Sequence, residues 1–362
     1  MKILIAADLV PTSQTSDDFA AGNVDKLFGK VKDLAKGCDR FIVNLECALT
    51  KSENAIKKFG PNLKGPAGTA QTLKALGVTD VALANNHVFD FGIEGLTDTL
   101  AALDSAGLPY FGIGENDTDS RRPYFFMADG KRIAIINVCE HEYTYALPDR
   151  MGANPFDPFL TMQDIRAAKA ESDFLIVLYH GGKEYSGYPS PRLRNLCREM
   201  VYCGADAVIT QHSHCIGCYE KFEGAHILYG QGNFNFSHPE YSKRRECWKT
   251  ALLVVLTVTD KIDIDFIPIF DTDCGCEVAD GERAEQILSE FEARNTELAD
   301  GRWLDGWERF CHGEFEAIYL DTARCAFDDE MKEERFAHHL DCEAHTDVWR
   351  TLFKTWNHTN EK

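Results

Sequence analysis

Phe174-Leu175-Ile176-Val177-Leu178-Tyr179, followed at once by His180-Gly181-Gly182-Lys183-Glu184, is the stretch that decides the fold of this chain. A short apolar run rich in branched residues reads as a strand buried on both faces. Polar residues that begin where it stops then lie at its C-terminal end. The same arrangement recurs elsewhere: Asp8 follows residues 3–7, Asn44-Leu45-Glu46 follow 41–43, Asn85-Asn86-His87 follow 81–84, and Gln211-His212-Ser213-His214 follow 207–210. Strands are expected over 2–7, 40–45, 80–84, 132–138, 173–179 and 205–210. Helices are expected over 24–35, 68–76, 93–106, 161–170 and 191–203, several of them closed by a glycine (Gly77, Gly107, Gly204) suited to a left-handed cap. Strand–helix alternation implies an α/β fold with largely parallel pairing. Right-handed crossovers bring the C-terminal strand ends to one edge, so the polar clusters can converge on one cleft.

Beyond residue 230 the pattern changes. Residues 251–259 and 262–269 read as a hairpin joined by Asp260-Lys261, and 271–280 form a polar break. From about residue 282 the chain reads as helical and acidic. Trp303, Trp307, Phe310, Phe315, Phe336, Trp349, Phe353 and Trp356 are too many large apolar groups for a disordered tail. The division is therefore a domain over 1–270 and a mainly helical extension over 271–362. The chain has 362 residues, 44% hydrophobic and 27% charged, an ordinary globular mixture. Its net charge of −20 argues against a nucleic-acid partner, which needs clustered Lys and Arg. No stretch reaches the roughly 18 apolar residues of a membrane span, and the opening Met1-Lys2-Ile3-Leu4-Ile5-Ala6-Ala7-Asp8 is too short for a signal core. The thirteen cysteines read as small core residues of a reduced, cytoplasmic protein.

The carboxylates, imidazoles and carboxamide at the strand ends suit Mn, Fe or Zn. Two such ions about 4 Å apart would hold a phosphoryl oxygen and activate water. In extended backbone His212 and His214 point the same way. Taken singly, several residues have an ordinary reading as well. Asp8 could cap a turn, Glu46 could pair with Lys51 or Lys57, and Lys183, Glu184 and Tyr185 suit a solvated loop as readily as a substrate contact. Asn85 reads as the turn-former and Asn86 as the ligand, while Asp90 orients His87 or caps the following helix. Asn233 reads as turn chemistry. The pairs Cys215/Cys218 and Cys274/Cys276 lack the context of a zinc or redox motif. The set His338, His339, Asp341, Cys342, Glu343 and His345 reads as a solvated face or as a second metal site, with Asp341 and His345 one helical turn apart.

At these residues the sequence resembles a known family. Ala84-Asn85-Asn86-His87-Val88-Phe89-Asp90-Phe91-Gly92-Ile93-Glu94-Gly95-Leu96 resembles the NNHxxDxGxxGL signature of the CapA/PgsA capsule-synthesis family. Asn44-Leu45-Glu46-Cys47-Ala48-Leu49-Thr50 resembles its NLExPLT, and His180-Gly181-Gly182-Lys183-Glu184-Tyr185 its HWGxEY. The stretch from Gly204 to His214 resembles GADxVxGHHPH, and Tyr229 to Phe236 the YSLGNFxF that follows it. The resemblance implies a calcineurin-like metallophosphoesterase fold, a β-sandwich flanked by helices with a two-metal site. It would place Asp8 and His214 on one ion, Asn86, His180 and His212 on the other, Glu46 between them, and His87 as the acid that protonates the leaving group. Two positions depart from the phosphoesterase pattern: Val10 stands where a histidine is usual, and Glu46 where an aspartate is usual. The expected function is metal-dependent phosphoester hydrolysis with one or two divalent ions, on a small phosphorylated or cell-envelope precursor, linked to capsule or poly-γ-glutamate metabolism. The alternative is a non-catalytic accessory component of polymer assembly, with the C-terminal region as a docking module for a protein partner.

Overall fold

A computed structural model describes residues 1–140 and 143–353. Two sheets pack face to face between helices in an α/β sandwich. Sheet I runs in the order Cys276–Val278, Ile262–Asp271, Thr250–Val258, Lys2–Leu9, Arg40–Leu45, Asp80–Ala82, Tyr110–Phe111, and Asn233–Asn235 lies beside the end of Lys2–Leu9. Sheet II runs Ile216–Phe222, Ala225–Gln231, Ala207–Gln211, Phe174–His180, Lys131–Cys139, Tyr124–Ala128. The strands that carry the polar clusters are parallel to their central neighbours; antiparallel strands close three of the four edges, and Tyr110–Phe111 closes the fourth in parallel.

Period-2 alternation divides the apolar residues between layers. Ile3, Ile5, Ile42, Ile135, Ile176, Leu178 and Ile209 meet between the sheets. Leu4, Phe41, Val43 and Val81 face outward under helices that supply Phe19, Phe28, Leu73 and Leu96. Ile136, Leu175, Val177 and Val208 face the opposite way, under Ile165, Leu193 and Met200. Each such side chain contributes roughly 1.5–3 kcal/mol when fully buried, against about 0–1 kcal/mol for a surface ion pair, so packing holds the sandwich.

The expected strands and helices all form, with shifted ends. The helix expected over 24–35 is broken into Val24–Phe28 and Val31–Ala35. Gly29 at φ 44 makes the break, and any Cβ there would collide with the Glu277 carboxylate. Lys30 N–H donates to that carboxylate at 2.9 Å. Glu277 belongs to the short strand Cys276–Val278, inside what the sequence presents as a polar break. Two hairpins were not expected: Tyr124–Ala128 with Lys131–Cys139, and Ile216–Phe222 with Ala225–Gln231.

The helix Gly281–Asp300 sends Ile287 and Phe291 into the layer between the sheets. Beyond it Trp307, Cys311, Phe315, Tyr319 and Val348 build a further buried cluster that touches Tyr185 and Tyr188. Trp356 lies outside the described residues. Among those described, no helix is long and apolar enough to cross a membrane. All thirteen cysteines are free thiols, nine of them buried.

Candidate metal centre

The opening strand Lys2–Leu9 ends in an irregularity, with its register shifting around Asp8. That places Asp8 in register with Asn44 on one side and Asn233 on the other. Asn44 Nδ2 donates to Asp8 Oδ1 at 2.8 Å, and the His212 backbone N–H donates to Asp8 Oδ2 at 3.1 Å. Glu46 is set one residue past Arg40–Leu45, with its N–H donating to Leu9 O at 3.0 Å. His180 ends its own strand. His212 and His214 follow theirs with φ of 83 and 52. A left-handed backbone at two histidines so close together is costly for residues with a Cβ and clusters at functional sites.

These side chains converge in a dry interior. His180 Nε2 lies 3.3 Å from Glu46 Oε1, and His214 Nδ1 lies 3.5 Å from Asp8 Oδ2. The His180 and His212 rings are 4.9 Å apart. Asn86 Oδ1 lies 2.9 Å from His180 Nε2. Three overlapping sets bring their ligand atoms within 4.8 Å of one another: Glu46, His180 and His212; Asp8, Glu46 and His214; and Glu184, His212 and His214. Glu46 belongs to two of them, and Glu184 was expected only as a substrate contact.

Glu46 is the test of fit. Its side chain is 0% exposed, and neither oxygen accepts a hydrogen bond among the described residues. Burial pushes its carboxyl up, yet the charge and contact of His180, followed by His212 and His214, hold it well below the usual range. A buried carboxylate without hydrogen-bond donors, ringed by imidazoles, has the donor chemistry of a divalent-cation site. Burial pulls His214 down, but the Asp8 contact and the carboxylates of Glu46, Asp8 and Glu184 raise it to about 9. Glu184 lies below its usual value, because Lys183 and then His212 and His214 outweigh its burial.

Beside this group His87 Nδ1 meets Asp90 Oδ2 at 2.6 Å, and Asp90 also accepts from the Leu63 N–H at 2.6 Å. Asp90 is fully buried, and its second oxygen ion-pairs with Lys58. Lys58 Nζ sits 3.1 Å from His87 Nδ1, and only 3% of its side chain is exposed. The sequence reading missed Lys58. Lys57, its expected rival for Glu46, points instead to Glu330 and Glu334. Asn233 also proves closer to the centre than turn chemistry implies, since its Oδ1 lies 2.8 Å from His214 Nδ1. Lys183, Glu184 and Tyr185 line the same cavity of about 310 Å3, together with Lys58, Asn86 and His87. The Cys215 and Cys218 thiols donate to the carbonyls of Ser186 and Gly187, each at 3.1 Å.

The family model described as bacterial capsule synthesis protein PGA_cap matches residues 2–238, which carry every residue of this centre. The chain belongs to the PGA_cap family. Among curated PGA_cap-like relatives, a capsule biosynthesis protein CapA of Bacillus anthracis is 30% identical over 221 residues, covering 59% of this chain and 54% of that protein. A PGA biosynthesis protein CapA of Bacillus subtilis is 29% identical over 218 residues, covering 59% and 57%. The chain thus spans a little over half the length of these two relatives. A solved phosphatase from Mycoplasma pneumoniae superposes with a TM-score of 0.47 at 18% identity, over 79% of this chain and 96% of that one. The PGA_cap match ends before the strand Thr250–Val258, whose neighbour Trp248 lies 4.6 Å from the His214 ring.

Proposed function

We propose that this PGA_cap chain is a metal-dependent phosphoester hydrolase acting on a small phosphorylated or cell-envelope precursor, in capsule or poly-γ-glutamate metabolism. The observation that carries the reading is the buried Glu46 carboxylate, without hydrogen-bond donors and shared between two ligand sets. Asp8, Glu46 and His214 would hold one ion, and Glu46, Asn86, His180 and His212 a second, of the Mn, Fe or Zn class. When bound, such ions supply charge stabilisation at phosphorus and an acidified water.

The chain's own residues do the rest. Asp90 takes the Nδ1–H of a doubly protonated His87, so Nε2–H is the proton handed to the departing oxygen and the ring is left neutral with its Nδ1–H in place. Lys183 lines the cavity close to the metal ligands and supplies positive charge for an anionic group. Asn44 and Asn233 act as positioning residues, holding Asp8 and His214.

Elemental analysis of the purified chain, paired with turnover of a phosphomonoester and a phosphodiester, tests this. We expect about one or two equivalents of metal, and a fall to background in both metal and turnover for Glu46→Gln. Unchanged metal and turnover in His180→Ala and His212→Ala would sink the reading. A second reading, an accessory role in polymer assembly, is favoured by Val10, which is buried just past the opening strand in place of a ligand. Bound metal absent, together with no turnover, would favour it.

A further inference from the structure

The PGA_cap match stops at residue 238, yet part of the cavity wall lies far beyond it. His338 and Cys342, with Ala344 and His345, line the cavity from the helices Glu330–Asp341 and Glu343–Leu352. The second of these helices is held firmly. Its Asp347 is buried and accepts from Ser190 Oγ at 2.6 Å and from Arg192 Nε at 2.9 Å. Arg192 also reaches the buried Glu140 at 2.6 Å. The first helix is held less by burial than by surface pairs and ring contacts. It buries only His339, which stacks on Tyr319 and His345, while His338 lies against Phe59 and Tyr143. Arg335 reaches Asp321 at 2.8 Å, and Lys57 ties the helix from outside through Glu330 at 2.5 Å and Glu334 at 2.6 Å. The two Lys57 pairs share one exposed ammonium, and water screens pairs of this kind strongly. The two helices meet at Cys342, in extended backbone.

With the pair in place the inner lining of the cavity is largely covered. Only 3% of the Lys58 side chain, 4% of Lys183 and 6% of His214 remain exposed. The volume of about 310 Å3 is at the lower end of small-molecule sites, roughly 300–1,000 Å3. Of Lys58, Lys183 and Glu184 on its described lining, Lys58 is already paired with Asp90, which leaves Lys183, 3.9 Å from Glu184, as the cation that can meet a compact anion. His345 is kept neutral by burial and bonded through Nδ1 to the Tyr319 hydroxyl, so it lines the wall as an uncharged ring.

We infer that this helix pair is the specificity element of the site: it confines the cavity to a small phosphate ester with a compact body and shuts out a polymer chain. The inference rests on the phosphoesterase reading for its substrate class. The less buried helix of the two, turning about Cys342, is the way in.

The test uses the full chain. The native protein should turn over p-nitrophenyl phosphate with a kcat/KM at least tenfold above that for a 5′-phosphorylated ten-nucleotide thymidine strand. Lys57→Glu, which sets three carboxylates against one another at the edge of the turning helix, should narrow that ratio at least threefold. Adding Glu330→Lys and Glu334→Lys should restore it. In parallel, orthophosphate should slow amide hydrogen exchange across 338–346 at least threefold. Equal turnover of the two esters would overturn the inference. Turnover of the small ester without slowed exchange would overturn it while leaving the phosphoesterase reading intact. Slowed exchange in a protein with neither metal nor turnover would do the reverse, supporting the enclosed anion site and refuting the phosphoesterase.

Discussion

Lys58 shows what a single residue can conceal. It sits in an irregular stretch, 51–63, with no periodicity to mark it, and it reaches the centre only because the chain loops back over His87 and Asp90. Its ammonium neutralises a fully buried carboxylate, and removing one partner of such a pair leaves the other charge stranded. Lys58→Met should therefore cost about 3 kcal/mol, seen as a lower midpoint in urea, while bound metal stays at the native level. Unchanged stability would mean that His87 and the Leu63 N–H satisfy Asp90 without it. By contrast Asp8, Glu46, Asn86, His87, His180, His212 and His214 were legible because each follows a strongly apolar run, where strand ends can be read directly. Asn233 was visible as a residue, but its bond to His214 depends on sheet register, which no local pattern encodes.

At the scale of elements, the buried parallel strands were the clear part of the sequence and the hairpins the hidden part. Asp129-Gly130 and Glu223-Gly224 both carry positive φ at two successive residues, the geometry of a two-residue hairpin turn. Asp-Gly is a strong signal for such a turn, and it went unread because Tyr124–Ala128 is half exposed and lacks a clean alternation. The Ile216–Phe222 and Ala225–Gln231 hairpin matters to the site because its first strand starts two residues after His214. Its backbones approach so closely that a Cβ on Gly217 would fall 1.4 Å from the Tyr229 carbonyl oxygen. Gly217→Ala should thus destabilise by roughly 3 kcal/mol, and a thermal melt within about 1 °C of native would contradict the described register. The broken helix at Gly29 has the same kind of cause, since a distant strand, not local propensity, dictates it.

For the whole molecule, the C-terminal helices fasten to the sandwich through buried ionisable groups, and this makes stability depend on pH. Desolvation first, and then the neighbouring Glu140 charge, push the Glu343 carboxyl up to about 7. Ionising it costs more in the folded chain than in the unfolded one, so stability falls as pH rises from about 4.5 through about 7. Partial exposure screens the effect to roughly 1–2 kcal/mol. Glu343→Gln should flatten that slope between pH 5 and 8 in denaturant titrations, and an unaltered slope would assign the dependence elsewhere. The sequence showed that this region was too aromatic to be disordered, but not where it docks, because docking depends on Ser190 and Arg192 about 150 positions away. The antiparallel partnership of Lys2–Leu9 with Thr250–Val258 has a consequence for how the protein is made. The strand that carries Asp8 leaves the ribosome long before this partner, and one of its edges stays unsatisfied until some 250 further residues have followed. The centre can therefore be completed only late in synthesis. The waiting apolar strand is where a chaperone would act and where a stalled chain would aggregate.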